Sequence, residues 1–381
     1  MIIIGGYLIR SASLSNGALS IRADFNQSAS LELIGVPEKT TSLILNGAPA
    51  QYTINSEGNW VTQVNYQTPT INLPDLTKLD WKYVDSLPEL QSWYDDSGWP
   101  NADRTTNNTF VQAPLTPTSL YGSDYGFHTG ALLLRGHFIA TGFEKAFSLT
   151  TQGGTGFASA VWLNSTFIGS WPGGGNWSAL GNPRHSDTYP IAGLKAGAPY
   201  VLTVLIDNMG FTQNTFVGGD FMKNPRGIIQ YRFYTSAGDG ASITWKITGN
   251  LGGENYADRV RGSLNEGGFY AERQGYHQPG PPADSFAAGT PYQGIDKAGV
   301  AFYTAQFNLD LPSDKWDIPL RFEFPATDPT GSGDYRVLLY VNGFRKSLSS
   351  HSSHPLNPQC LCLSFPEENR FPSPRDTGHE R

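Results

Sequence analysis

The chain has 381 residues, 26 basic against 33 acidic side chains for a net charge of −7, 43 glycines and only 15% charged residues. Low charge and a glycine share above the ordinary ~7% exclude long solvated helices and favour short strands joined by tight turns. No basic run stands out, so nucleic acid is not an expected partner, and no segment approaches the ~18 consecutive apolar residues of a membrane helix, so neither is a membrane.

The first apolar stretch, "MIII" at Met1 to Ile4, is too short for the core of a signal peptide. Residues 7 to 72 then alternate in strand-length runs: "YLIRSASL", "LSIRADF", "SLELIGV", "TSLILNG" and "NWVTQVNY", each followed by Gly, Pro, Asn or Ser. That spacing predicts a small antiparallel sandwich over residues 1–72. "NLPDLTKLD" reads as the linker into the next unit.

An internal repeat follows. The first copy holds "LDWKYVDSLPEL", "GALLLRGHF" and "SAVWLNSTFIGSW"; the second holds "ITWKITGNLGGE", "GVAFYTAQF" and "RVLLYVNGFRK", in the same order. In both copies a glycine (Gly130, Gly299) opens the middle strand and a phenylalanine (Phe138, Phe307) closes it. Two tandem copies of one β-domain are expected, at 73–240 and 241–350. The first copy continues into "YVLTVLIDNMG", a strong strand at 200–210. The second has no comparable alternating run, so it is expected to be incomplete. Its last residues, 351–381, are rich in Ser, Pro and His, and a disordered tail of foreign composition is expected there.

Candidate chemistry is sparse. "SDYGFHTGALLLRGHF" carries His128 and His137, but the second copy puts Gln306 where His137 stands, so both histidines are expected in structural or surface roles. Cys360 and Cys362 are too close for an easy mutual disulfide and lack a second pair for zinc. No metal and no cofactor is expected; "GGTGFA" at 153–158 lies between strands and reads as a turn rather than a dinucleotide loop. Glu266 and Glu272 sit six apart around Gly267 and Gly268, Glu266 reads as a turn or interface carboxylate, and the adjacent Asp95 and Asp96 should point apart. Four N-x-S/T sequons, at Asn26, Asn107, Asn164 and Asn176, point to a secretory origin with glycosylated surface asparagines. Trp171 and Trp177 bracket "PGGGN" and are candidate platforms for a sugar ring; Phe216 and Asp220, in the loop Phe211 to Gly227, are further candidate carbohydrate contacts.

The motifs "DWKYVDSLPE", "YGSDYGFHTGALLLRGHF", "VLIDNMG", "FMKNPRGI", "WKITGNLGGE" and "RGSLNEGGFYAERQGYHQPGPP" resemble the C-terminal half of fungal β-galactosidases of glycoside hydrolase family 35, over about residues 4 to 344. The resemblance implies an all-β fold: tandem β-sandwich or jelly-roll (galactose-binding-like) domains preceded by a small β-sandwich, the third domain of that family. It implies an extracellular parent that hydrolyses terminal β-D-galactosides with retention, through two carboxylates on a (β/α)₈ barrel. Neither catalytic motif occurs here, so no residue of this chain is expected to be catalytic. The chain is expected to be a fragment whose partner, the barrel, lies upstream of Met1. The loop 211–227 is expected to face that barrel. A stand-alone module for a β-galactoside or galactan, or a structural fragment without ligand, are the alternatives.

Overall fold

The computed structural model describes residues 1–67, 70–109, 112–154, 157–171, 184–191, 193–208, 210, 224–250, 267–309, 320, 322, 335–351 and 359–365. The chain divides into two compact units, 1–76 with 308–323 and 77–307 with 324–381.

In the first unit the alternating runs become eight short strands: β1 (Ile2–Ile4), β2 (Leu8–Ser15), β3 (Ala18–Asp24), β4 (Ala29–Ile34), β5 (Ser42–Leu45), β6 (Ala48–Ala50), β7 (Thr53–Ile54) and β8 (Trp60–Val64). They form two four-stranded sheets, β1-β4-β8-β7 and β2-β3-β5-β6. Leu19, Ile21 and Ala23 of β3 alternate inward to meet Leu31 and Leu33 of β4, Leu43 and Trp60 in one core. The hairpins β2–β3 and β5–β6 turn on Asn16-Gly17 and Asn46-Gly47, all four with positive φ. Asn-Gly is the pair that a two-residue turn matched to the strand twist demands. The Asn46 amide also docks on Ala23, accepting from its N–H and donating to its carbonyl, each at 2.8 Å.

The second unit begins with β9 (Lys82–Asp85) and then builds a five-stranded sheet from β10 (Gly130–Ile139), β12 (Ser159–Leu163), β13 (Thr166–Trp171), β15 (Pro199–Asn208) and β17 (Thr244–Thr248), in the order β13-β12-β15-β10-β17. A three-stranded sheet of β14 (Arg184–Pro190), β11 (Glu144–Gln152) and β16 (Gly227–Thr235) faces it. Leu132, Leu134 and Phe138 of β10 point into the core between these two sheets, with Val204 and Ile206 of β15, Phe147 and Leu149 of β11, and Trp245 of β17. The other face of β10, through Ala131 and Leu133, packs against a second core. That core is closed by the sheet of the second copy. A short α-helix, α1 (Tyr270–Arg273), precedes β18 (Ala287–Ala288), β19 (Gly299–Thr304), β20 (Tyr335–Val341), β21 (Phe344–His351) and β22 (Gln359–Phe365), whose sheet has the order β18-β9-β19-β22-β20-β21. Val300, Phe302, Leu338 and Tyr340 meet Ala131, Leu133, Ala160 and Trp162 there, so the first copy's larger sheet is the middle of three layers.

The repeat is visible in the ladders. Each copy's leading strand joins the sheet of the other copy. β17, which opens the second copy, pairs with β10 of the first; β9, which opens the first, pairs with β19 of the second. The registers correspond row by row: Lys246 opposes Arg135 as Lys82 opposes Thr304, and Ile247 opposes Leu134 as Tyr83 opposes Tyr303. Both copies also carry the same hairpin. A bulge falls between Val161 and Trp162 in β12 and between Leu339 and Tyr340 in β20, and the turns place Asn164 and Asn342 at φ of 52° and 55°.

Within the stretch expected as a tail, residues Gln359–Phe365 form β22. Residues 359–365 enter the sheet between β19 and β20, parallel to both. Pro358 and Pro366 bracket this run rather than interrupt it, and "QCLCLSF" itself holds no proline. A strand there supplies partners for N–H and C=O groups that β19 and β20 would otherwise leave unpaired.

Candidate functional site

Arg135 and His137 continue the face of β10 that carries Ala131 and Leu133. A charged residue on that face needs a counter-ion, and the segment from Trp93 to Trp99 supplies it. Arg135 Nη1 donates to Asp96 Oδ2 at 2.5 Å, with the two side chains 6% and 9% exposed. His137 Nε2 lies 2.7 Å from the same oxygen and its ring is half-buried. An ionised carboxylate only accepts, so Nε2 carries the proton in this contact. Asp95, next in sequence, turns the other way: it is exposed and accepts from the Ser97 N–H and hydroxyl. The adjacent aspartates point apart, as their spacing implies.

From Arg135 the cluster runs across aromatic rings to a second buried ion pair. The Arg135 guanidinium lies over Tyr94, 5.4 Å from its centroid, and Tyr94 meets Trp99 edge-on at 5.8 Å. Burial, and then the charge of Glu89, raises the Tyr94 hydroxyl above its ordinary pKa. The Arg273 guanidinium lies 5.9 Å from Trp99 and donates to the Glu89 carboxylate and, at 2.6 Å, to the Gly268 carbonyl. Glu272, beside it on α1, accepts from the Phe269 N–H at 3.2 Å and from the Tyr340 hydroxyl. Glu89, Glu272, Arg273 and Tyr340 are all essentially inaccessible to water. Among the described residues, Glu89 Oε2 has no donor.

This arrangement ties the exchanged leading segment of the first copy to β10 on one side and to α1 and β20 of the second copy on the other. Its carboxylates are committed to guanidinium, hydroxyl and backbone donors, which suits a structural seam better than proton transfer. Glu272 is thus an interface carboxylate. Glu89 had a sequence signal only in standing between Pro88 and Leu90, and Arg273, between Glu272 and Gln274, had none.

The remaining candidates are scattered. Trp171 is partly buried, stacked on His185 at 4.7 Å and edge-on to Phe157 at 4.5 Å. Trp177, Phe216, Asp220, Asn176 and Glu266 lie outside the described residues. Asn26 and Asn164 are exposed; Asn107 is half-buried and its Nδ2 donates to the Gln112 carbonyl at 2.5 Å. His128 is exposed. Among the described residues no group of three or more His, Cys, Asp or Glu side chains could hold a metal ion, and no helix is long and apolar enough to cross a membrane.

Known families account for residues 1–61, 94–212 and 270–369 of the chain. The family described as "Beta-galactosidase, domain 3" matches residues 1–61, the eight-stranded first unit less its end. The family described as "Beta-galactosidase second all-beta domain" matches twice, at 94–212 and 270–369, one match on each copy of the repeat. The chain belongs to the β-galactosidase family. Among curated relatives, "Probable beta-galactosidase A" of Aspergillus fumigatus is 49% identical over 345 residues, "Beta-galactosidase A" of Aspergillus niger 50% over 345, and "Probable beta-galactosidase A" of Aspergillus flavus 51% over 347. Each alignment covers 91% of this chain, and the chain spans about a third of those relatives, 33% of their length. The family matched by the repeat is described as all-beta, in keeping with the three β-layers of the second unit.

Proposed function

We propose that these residues form the accessory β-domains of an extracellular β-galactosidase of glycoside hydrolase family 35, and that they take no part in the bond-breaking step. The parent reaction is retaining hydrolysis of terminal β-D-galactosides, in which one carboxylate attacks the anomeric carbon and a second protonates the leaving oxygen. We assign both carboxylates to a catalytic barrel that partners these domains. The observation that carries this reading is the commitment of Glu272 and Glu89 to Tyr340 and Arg273 in a water-free seam. A retaining pair needs about 5–5.5 Å between carboxylates and room for a sugar. The copies are counted as 73–240 and 241–350 along the chain, with leading strands exchanged. Asn26 and Asn164, both exposed, are the favoured glycosylation sites.

The test is an assay of the purified 381-residue chain on a chromogenic β-galactoside. No turnover above a blank is expected. Turnover that co-purifies with the chain and is abolished by Glu272→Gln would overturn the proposal.

A second reading, a galactoside-binding module, is favoured by one observation. Trp93 is 71% exposed beside the polar turn at Asp95 and Ser97, and a flat exposed ring can stack on a sugar face. Quenching of tryptophan fluorescence by lactose, lost in Trp93→Ala, would support it; an unchanged spectrum at high lactose would remove it.

A further inference from the structure

The two copies hold the same slot and fill it in opposite directions. In the first copy β15 lies between β12 and β10, antiparallel to both. In the second copy β22 lies between β20 and β19, parallel to both. The flanking strands keep the same stagger across the slot. Val161 and Leu134 share a row through Val204, and their repeat equivalents Leu339 and Tyr303 share a row through Leu363. Ser159 and Leu132 share a row through Ile206, as Val337 and Ala301 do through Leu361. β22 therefore matches β15 in phase, leucines standing in the rows of Ile206 and Val204, while its polarity is reversed.

This has a physical consequence. Parallel ladders have slanted hydrogen bonds and are slightly less stable per residue than antiparallel ones. The framework that β19 and β20 present is the one that in the first copy receives an antiparallel strand with Leu202, Val204 and Ile206 fully buried.

We propose that the slot between β19 and β20 is a strand-acceptor site, which binds in trans an extended segment of another polypeptide. The segment runs antiparallel to β19 and β20, with apolar residues at alternate positions in the manner of β15, and displaces β22. Main-chain hydrogen bonds to both neighbours would give affinity, and the alternate apolar rows would set register.

The probe is a synthetic peptide with the sequence of Val201 to Asn208, flanked by lysines for solubility and carrying a nitroxide at its N-terminus. It is added to the full chain and to a Leu361→Pro, Leu363→Pro variant, in which β22 cannot hold its ladder. Amide hydrogen exchange is followed in β19 and β20, with β10 as an internal control for folding. In the variant, exchange in Gly299–Thr304 and Tyr335–Val341 should accelerate by about tenfold or more and be slowed again by the peptide, with β10 unchanged. In the unsubstituted chain, excess peptide should accelerate exchange in 359–365 as β22 leaves. The nitroxide should broaden signals at Thr304 and Val341, the end that an antiparallel peptide's N-terminus reaches. If the variant also loses protection in β10, the displacement measured on the unsubstituted chain decides. Absence of both rescue and displacement, equal action by a scrambled peptide, or broadening at Gly299 and Tyr335 instead would each overturn the proposal.

Discussion

Trp245 stands directly opposite Gly136 in the β10–β17 ladder, and its ring lies over the glycine: a Cβ on residue 136 would come 2.8 Å from Trp245 Cζ3 and 2.7 Å from Ile243 Cγ2. The contact holds the leading strand of the second copy in the first copy's sheet. Gly136→Ala must push the indole out of a packed core, which costs about 1–3 kcal/mol. A fall in thermal midpoint is expected, with faster hydrogen exchange in Thr244–Thr248 than in Pro199–Asn208. Equal acceleration on both sides of β10 would show that Trp245 does not anchor the exchanged strand.

The shared carboxylate of Asp96 makes a graded prediction. Asp96→Ala leaves the buried Arg135 charge without its ion partner and should destabilise by about 3–5 kcal/mol. His137→Ala removes only a half-exposed ring and should stay within about 1 kcal/mol. Chemical denaturation of the two variants checks the order. A His137→Ala variant as unstable as Asp96→Ala would mean that the imidazole, not the guanidinium, is the main partner of Asp96.

The repeat and the β-rich layers were legible because they rest on local pattern: alternation, Asn-Gly turns, and the Trp-Lys pair that leads each copy. Strand exchange was not legible. The alternation in "WKIT" and "WKYV" tells which residues face a core, but not which sheet supplies the neighbouring strand. The Asp96–Arg135 pair was hidden for a similar reason, since its partners lie 39 residues apart and meet only in the folded packing. Arg135 ends the apolar run of "GALLLRGHF", and nothing along the chain marks which of many carboxylates meets it. β22 was obscured by its surroundings: the Ser- and Pro-rich residues around "QCLCLSF" dominate its composition, while the vacancy that accommodates it belongs to β19 and β20.

Glu144 gives the chain a pH-dependent term. Burial works against its charge, but donors from the Thr141 N–H at 2.9 Å, the Thr141 hydroxyl at 2.7 Å and the Gly142 N–H at 3.0 Å outweigh it and hold the carboxyl below its ordinary value. A carboxylate with a depressed folded pKa stabilises above the unfolded value, near 4.3, and that contribution is lost as the pH falls through the lower folded value. Glu144→Gln should therefore lower stability at pH 7 by about 1.5–3 kcal/mol. The gap to the unsubstituted chain should narrow below about pH 4. Denaturation midpoints at pH 7, 5 and 3 test it; a gap that stays constant with pH would show that the lost contribution is packing rather than charge.

The Glu89–Arg273 pair separates the stability of a buried ion pair from its specificity. Both side chains are almost wholly buried, at 0% and 3% exposure, so each alone is an uncompensated charge in a medium that solvates it poorly. Arg273→Met should destabilise by about 3–5 kcal/mol, because it strands the Glu89 carboxylate and removes the donor to Gly268. Glu89→Leu strands the guanidinium, though Trp99 and Tyr270 still flank it at 5.9 Å each, so its cost should be the smaller. The double variant removes both charges together and should be more stable than the sum of the single losses predicts, by at least about 1.5 kcal/mol. Urea unfolding of the four proteins, read by hydrogen exchange in Tyr270–Arg273, measures that coupling. Losses that simply add would place the two charges in separate environments and dissolve the seam as a single ion-paired unit.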